Sequence, residues 1–224
     1  MKARWIVLTL AVMFAAYALL RVTSIDLLVA LGSAALLLAI GRRSSLSWSD
    51  LGLGRTTMAR GARWALVSAA VVAVGYVIVA VTPLNVLLED SRFDEGWRDA
   101  AWRAAVIVPL GTVLWEEIAF RGVLWSQLRT RWSVAWATAG SSLVFGLWHA
   151  LPALRFAKTN EGAESVASGN LAVVGTVVVT MVVTALAGVV LCEMRRRSDS
   201  LIAPIGLHWA ANAFGVLAVA VVAT

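Results

Sequence analysis

The sequence predicts an all-α fold: a polytopic membrane helical bundle of about seven transmembrane helices. Three observations carry this expectation. Of the 224 residues, 60% are hydrophobic and only 14% charged, with a mean hydropathy of +0.83, whereas a soluble domain needs about 25% charged residues to wet its surface. The apolar residues fall into runs long enough to cross about 30 Å of hydrocarbon, each bounded by charge. Basic residues cluster between those runs, as they do in cytoplasmic loops. The same composition excludes a disordered segment, and the lone Cys192 excludes a disulfide scaffold.

The expected spans run approximately Trp5–Leu20, Ile25–Ile40, Trp64–Val81, Ala101–Leu128, Trp132–Leu154, Leu171–Cys192 and Leu201–Val222. The first two are short and share the tight turn Arg21 to Ser24, so they read as a helical hairpin. Lys2, Arg4 and the stretch Ala16-Tyr17-Ala18 resemble a secretory signal with a small-residue cleavage site. A retained first helix is the preferred reading, because the next apolar run begins almost at once. Between the second and third spans, Ser44 to Arg63 carries Gly52, Gly54 and Gly61 with a cap at Thr56 or Thr57, and reads as an interfacial loop with a short basic helix. No internal repeat, low-complexity tract or separate soluble domain is visible. Residues 1–224 are therefore expected to form a single integral membrane domain, with a motif-bearing core at approximately 101–224.

Orientation follows from Lys and Arg counted loop by loop. With the N-terminus inside, the cytoplasmic segments hold Lys2, Arg4, Arg42, Arg43, Arg55, Arg60, Arg63, Arg129, Arg131, Arg195, Arg196 and Arg197. The outer segments hold Arg21, Arg92, Arg98, Arg103, Arg155 and Lys158, together with Asp26, Glu89, Asp90, Asp94, Glu95, Asp99, Glu161 and Glu164. The two-to-one bias places the N-terminus in the cytoplasm and the C-terminus outside. A positive charge distributed in this way is no nucleic-acid footprint; the expected partner is the lipid bilayer. Trp5, Trp64, Trp102, Trp125 and Trp132 fall near span ends, where an indole sits in the headgroup region. Trp115, Trp148 and Trp209 lie inside spans beside polar residues and read as bulky packing in preference to a substrate role.

Ionisable side chains in hydrocarbon are costly and are functional candidates by default. Glu116, Glu117 and Arg121 lie on the fourth span, His149 on the fifth and His208 on the seventh, and these are the only two histidines of the chain. Glu117 and Arg121 are four apart and suited to an intrahelical ion pair. Glu116 points about 100° away, which leaves it facing a cavity as an acceptor. His208 and Asn212 are also four apart, as are Phe145 and His149. Each feature alone has a plain structural reading as helix-packing glue; a carboxylate, two histidines and an amide together match what acid–base chemistry needs. Counting about 1.5 Å per residue from the cytoplasmic ends puts Glu116 roughly 16 Å deep, His208 roughly 13 Å and His149 roughly 25 Å. The mismatch calls for tilt, a later start of the fifth span, or kinks near Pro109 or Pro204.

The series Glu116-Glu117-x-x-x-Arg121, Phe145-x-x-x-His149 and His208-x-x-x-Asn212 resembles, in order and spacing, the motifs of the CPBP family of intramembrane proteases. That family includes the CAAX prenyl endopeptidases of the Rce1 type and bacterial bacteriocin-processing or immunity proteins. The resemblance implies that Glu116 and His149 activate a water for attack on a peptide carbonyl, and that His208 and Asn212 donate hydrogen bonds to the tetrahedral oxyanion. Glu117, Arg121 and Phe145 would be supporting residues. It implies an intramembrane endopeptidase acting on a membrane-associated peptide or protein. Prenylated CAAX tails belong to eukaryotic members, whereas short loops and a compact chain look bacterial, so the expected substrate is a peptide precursor or a membrane-anchored regulator in a bacterial cell membrane. Two histidines and glutamates are possible zinc ligands. There is no His-Glu-x-x-His pair, however, and the carboxylate, histidine and amide set suffices for a glutamate-type hydrolase, so the expectation is no cofactor and no catalytic metal, with zinc as the alternative. Two other function classes remain beside the protease: a proton-coupled transporter, against which the lack of inverted-repeat symmetry counts, and a non-catalytic scaffold or immunity protein of the same fold.

Overall fold

The computed structural model describes residues 3–23, 25–88, 96–159 and 170–222, and every long element among them is helical. In chain order these are α1 (Arg4–Val22), α2 (Asp26–Arg43), α3 (Met58–Val81), α4 (residues 97–129), α5 (Val134–Trp148), α6 (Ala150–Thr159), α7 (Asn170–Ser198) and α8 (Ile202–Val222), with short 3₁₀ turns at Arg55–Thr57 and Pro83–Leu88. Lys2, Glu89, Asp90, Arg92, Asp94, Glu95, Glu161 and Glu164, all used in assigning orientation, lie outside the described residues.

Five stretches are long and apolar enough to cross a membrane: Arg4–Val22, Arg55–Val81, Val134–Arg155, Leu171–Ser198 and Ile202–Val221. The two expected spans that miss this mark are α2 and α4. The physical reason is placement: α4 is wrapped by the other helices, with Trp115 to Leu128 buried without a break, so it need not be apolar to suit lipid. By contrast α3 and α7 present rows of exposed Leu and Val, among them Leu66, Val67, Val71, Val174, Val178 and Val182. These are faces for hydrocarbon, since lipid tails wet apolar side chains and give helices no hydrophobic reason to associate.

Close packing of small residues and buried hydrogen bonds therefore has to hold the helices together. A side chain at Gly206 of α8 would collide with the backbone of Ala65, which brings α3 and α8 together along their length. Buried polar pegs do the rest. Thr9 on α1 donates to Gln127 on α4 at 3.0 Å, Trp125 Nε1 on α4 donates to Thr138 Oγ1 on α5 at 3.1 Å, and Ser141 Oγ on α5 donates to the Phe120 carbonyl at 3.1 Å.

α4 is wound irregularly: α at Trp97–Trp102, π at Arg103–Val113, α at Leu114–Glu117, π at Ile118–Leu124 and α again at Trp125–Arg129. The amides of Leu114 and Trp125 reach back five residues, to the carbonyls of Pro109 and Phe120. Such wide turns re-aim side chains and recur at functional sites. Here they bracket Glu116 and Glu117.

Three expectations are corrected. The segment after α2 has no basic helix of its own beyond a 3₁₀ turn: the basic stretch with Arg60 and Arg63 is the beginning of α3 itself, and Leu46 and Leu51 are buried in the core. Backbone carbonyls pin the loop to its neighbours. Asp50 O accepts from Ser126 Oγ at 2.7 Å and from Arg195 Nη2 at 2.8 Å, and Gly52 O accepts from the Leu201 amide at 2.8 Å. Gly52 has φ +78° and lies against the Arg195 guanidinium, where a Cβ has no room. The Asp50 carboxylate takes the Ser47 hydroxyl and amide at 2.6 and 2.7 Å, and these bonds hold its pKa below the usual value. Second, Trp125 is no interfacial anchor; it is 1% exposed, with Arg129 and Arg195 stacked on its ring. Third, the fifth span is broken between α5 and α6 at His149. Pro204 leaves α8 unbroken from Ile202 to Val222; the proline that matters is Pro152, whose missing amide leaves the Trp148 carbonyl without its helical donor.

Substituting Gly206→Val is expected to force α3 and α8 apart at Ala65 and to destabilise the protein by about 1–3 kcal/mol, read as a lower midpoint of thermal unfolding in detergent. An unchanged midpoint would show that this close approach contributes nothing to stability.

Candidate active site

The site is built on the middle of α4. Glu117 and Arg121, one turn apart, are both fully buried and form an ion pair at 2.8 Å, as their spacing predicts. The same Glu117 Oε1 also accepts from His208 Nδ1 of α8 at 2.7 Å. The pair is thus a triad, and the expected clamp within one helix is also the link between two. Arg121 uses only Nη1 on the carboxylate, leaving Nε and Nη2 without hydrogen bonds. Its charge is met instead by the Phe145 ring face at 4.0 Å and by the Phe120 ring at 5.6 Å, an attraction that strengthens away from water. Phe145 therefore supports the site through a cation–π contact with Arg121 and an edge contact with the His149 ring.

Glu116 turns the other way. It is 6% exposed; Oε1 accepts from Trp148 Nε1 at 3.2 Å, and Oε2 has no hydrogen-bond partner. His208 Nε2 stands 3.8 Å from that free oxygen. Because His208 Nδ1 donates to Glu117, a neutral ring would turn an Nε2 lone pair towards the Glu116 carboxylate. A proton on either partner turns that repulsion into attraction.

His149 sits at the break between α5 and α6. Its Nδ1 is 2.8 Å from the Phe145 carbonyl; a carbonyl only accepts, so Nδ1 carries a proton, and in the neutral ring the lone pair is on Nε2. His149 and Glu116 line one cavity of about 630 Å³, together with Trp115, Trp148, Tyr17 and Arg21. Counting along straight helices sets Glu116 and His149 at different depths, yet the structure brings both to this one cavity. Asn212, one turn beyond His208, is exposed and has no hydrogen-bond partner among the described residues. The structure therefore gathers Glu116, Glu117, Arg121, Phe145, His149 and His208, and leaves Asn212 uncommitted at the edge.

Sequence reading missed Trp148 and Tyr17. Trp148, read as packing, is the hydrogen-bond donor to Glu116, and its carbonyl accepts from Tyr17 Oη at 3.2 Å. Trp209 is likewise more than bulk: its Nε1 donates at 2.9 Å to the Ala104 carbonyl, the acceptor that Pro109 leaves free in a π-wound segment. A proline inside an apolar span signals such a vacant carbonyl; the identity of the donor, from 131 residues away in the case of Tyr17, does not show in the sequence.

Among the described residues no group of three or more His, Cys, Asp or Glu is arranged to hold a metal ion.

Fold and site together define a class: a multi-pass helical membrane protein with an acid–base constellation enclosed among its helices. Residues 98–214 match the type II CAAX prenyl endopeptidase Rce1-like family, and the match spans just over half of the chain. The chain belongs to that family, which is a family of proteases. No curated protein and no solved structure matches the chain.

Arg121→Ala would strand the Glu117 carboxylate in a low-dielectric interior, and a broken buried pair costs about 3–5 kcal/mol. The expected outcome is a large drop in thermal midpoint and in yield from detergent; a midpoint equal to wild type would show that the triad is not a structural clamp.

Proposed function

We propose that the protein is an intramembrane endopeptidase of glutamate type, hydrolysing a peptide bond of a membrane-associated peptide or protein. The observation that carries this reading is that Glu116, whose buried Oε2 has no hydrogen-bond partner, and His149, whose Nδ1 is tied to the Phe145 carbonyl, line one cavity. Glu116 and His149 are the groups that take the proton from a water as it attacks the scissile carbonyl, and that return it to the leaving amine. His208, in its doubly protonated form, donates from Nε2 to the developing oxyanion while Glu117 holds Nδ1–H and balances the charge. The uncommitted Asn212 amide, one turn away, is the second donor. The enclosing aromatic side chains exclude bulk water and strengthen these interactions.

No catalytic metal is part of this reading, since a carboxylate base, a histidine and hydrogen-bond donors cover each step; a zinc ion held by the same side chains is the alternative. The setting is a bacterial cell membrane with the N-terminus in the cytoplasm. Consistent with this, hydrogen bonds join the loop after α2 and the start of α3 to the end of α7, which gathers their arginines at one end of the bundle.

A cleavage assay on purified protein in detergent, against a panel of membrane-anchored peptides, tests the proposal. Wild type is expected to cut, and Glu116→Ala, His149→Ala and His208→Ala are each expected to lose activity while staying folded. Full activity of Glu116→Ala would remove that carboxylate from the mechanism. If no peptide is cut by wild type while the same substitutions abolish a proton flux in liposomes, the transporter reading replaces this one. Chelator treatment is expected to leave cleavage intact; loss that zinc restores would reverse the assignment on metal.

A further inference from the structure

We infer that Trp148 is the positioning residue for both reacting groups, and that Tyr17 of α1 holds it in place. The inference rests on the hydrolase reading and concerns how Glu116 and His149 are held. It grows from three hydrogen bonds that tie down the Trp148 indole and the peptide plane joining Trp148 to His149. The indole N–H donates to Glu116 Oε1 at 3.2 Å, which fixes the carboxylate rotation and leaves Oε2 as the oxygen with no partner. The Trp148 carbonyl belongs to the same peptide plane as the His149 amide. Tyr17 Oη donates to that carbonyl at 3.2 Å on one side, and the His149 amide donates to the Gly146 carbonyl at 3.1 Å on the other. The plane from which the His149 side chain springs is thus pinned at both ends.

The vacancy that makes this possible is covalent. In an unbroken helix the Trp148 carbonyl would be taken by the amide of residue 152, and Pro152 has none. Tyr17 supplies the missing donor from another helix and is itself held by Arg21, whose Nη2 donates to Tyr17 Oη at 3.0 Å while the guanidinium lies 4.6 Å above the phenol ring. Rings close the other directions: Trp148 packs against Tyr17 at 4.2 Å, Trp115 at 5.3 Å, Phe120 at 5.6 Å and Phe14 at 6.1 Å between centroids. A hydrogen-bonded chain of Arg21, Tyr17, Trp148 and Glu116 therefore runs from the end of α1 to the carboxylate. This explains why a hairpin outside the matched family region forms part of the cavity wall.

A residue that only filled space would be replaceable by another ring at no cost in turnover. Two arms separate the roles. In the kinetic arm, Trp148→Phe is expected to lower kcat by about 10- to 100-fold with KM within about twofold, the signature of misplaced reacting groups. Tyr17→Phe, which removes one hydroxyl and keeps the ring, is expected to lower kcat by about 3- to 10-fold. In the spectroscopic arm, the infrared bands of the Glu116 carboxyl are isolated as the difference between a protein and its Glu116→Gln counterpart, measured with Trp148 and again with Phe at 148. The bands are expected to shift when the indole donor is lost. The infrared arm does not depend on turnover, so the two readings fail separately. Unshifted bands overturn the relay whatever the activity, and full kcat in both variants overturns it too. Shifted bands in a protein that cuts nothing overturn the hydrolase reading alone.

Discussion

Glu117 Oε1 is the point on which the structure turns. It accepts from Arg121 at 2.8 Å and from His208 at 2.7 Å, with its residue and Arg121 entirely out of contact with solvent or lipid. Charges in such a place are tolerable only when paired, because desolvation costs several kcal/mol per ion. That requirement orders the bundle around it. α4 has to lie in the middle, α8 has to deliver His208 to it, and the aromatic rings of Phe120 and Phe145 have to cover the guanidinium nitrogens that the carboxylate leaves unmatched.

A polar central helix also explains the division of labour among the others. α3 and α7 carry the long apolar faces, whereas α2 and α4 are too charged to pass for membrane spans on composition alone. Hydrophobic burial cannot sort these helices, since lipid tails satisfy Leu and Val as well as a protein core does. Close backbone approach and side-chain hydrogen bonds do the sorting. The α-wound turn between the two π segments keeps the ordinary step of about 100° between neighbours, so the adjacent carboxylates of Glu116 and Glu117 face two different ways, one to the cavity and one to Arg121 and His208.

Prolines act by subtraction. Pro109 and Pro152 each leave a carbonyl without its helical donor, and in each case a distant aromatic side chain fills the place, Trp209 at Ala104 and Tyr17 at Trp148. Backbone polar groups in a membrane must be satisfied from within the protein, so a proline in a span obliges another helix to come close with a donor. In both instances the obligation fastens a helix to the neighbourhood of the site.

Much of this was open to direct reading. Seven helical segments, the Glu117–Arg121 pair and the candidacy of Glu116, His149 and His208 follow from hydropathy, from four-residue spacing and from the expense of charge in hydrocarbon, all of which are local properties of the chain. What the chain alone did not determine was everything that depends on how helices meet. Counting along straight helices put His149 too far out, because the way helices tilt and meet around a cavity has no hydropathy signal. Trp148 looked like packing, and Trp125 like an interfacial anchor, because an indole has the same apolar body wherever it lies; Tyr17 drew notice only within the signal-like stretch Ala16-Tyr17-Ala18. Only the tertiary structure decides which acceptor its N–H or O–H finds, and therefore whether the ring fills space, faces lipid or holds a carboxylate.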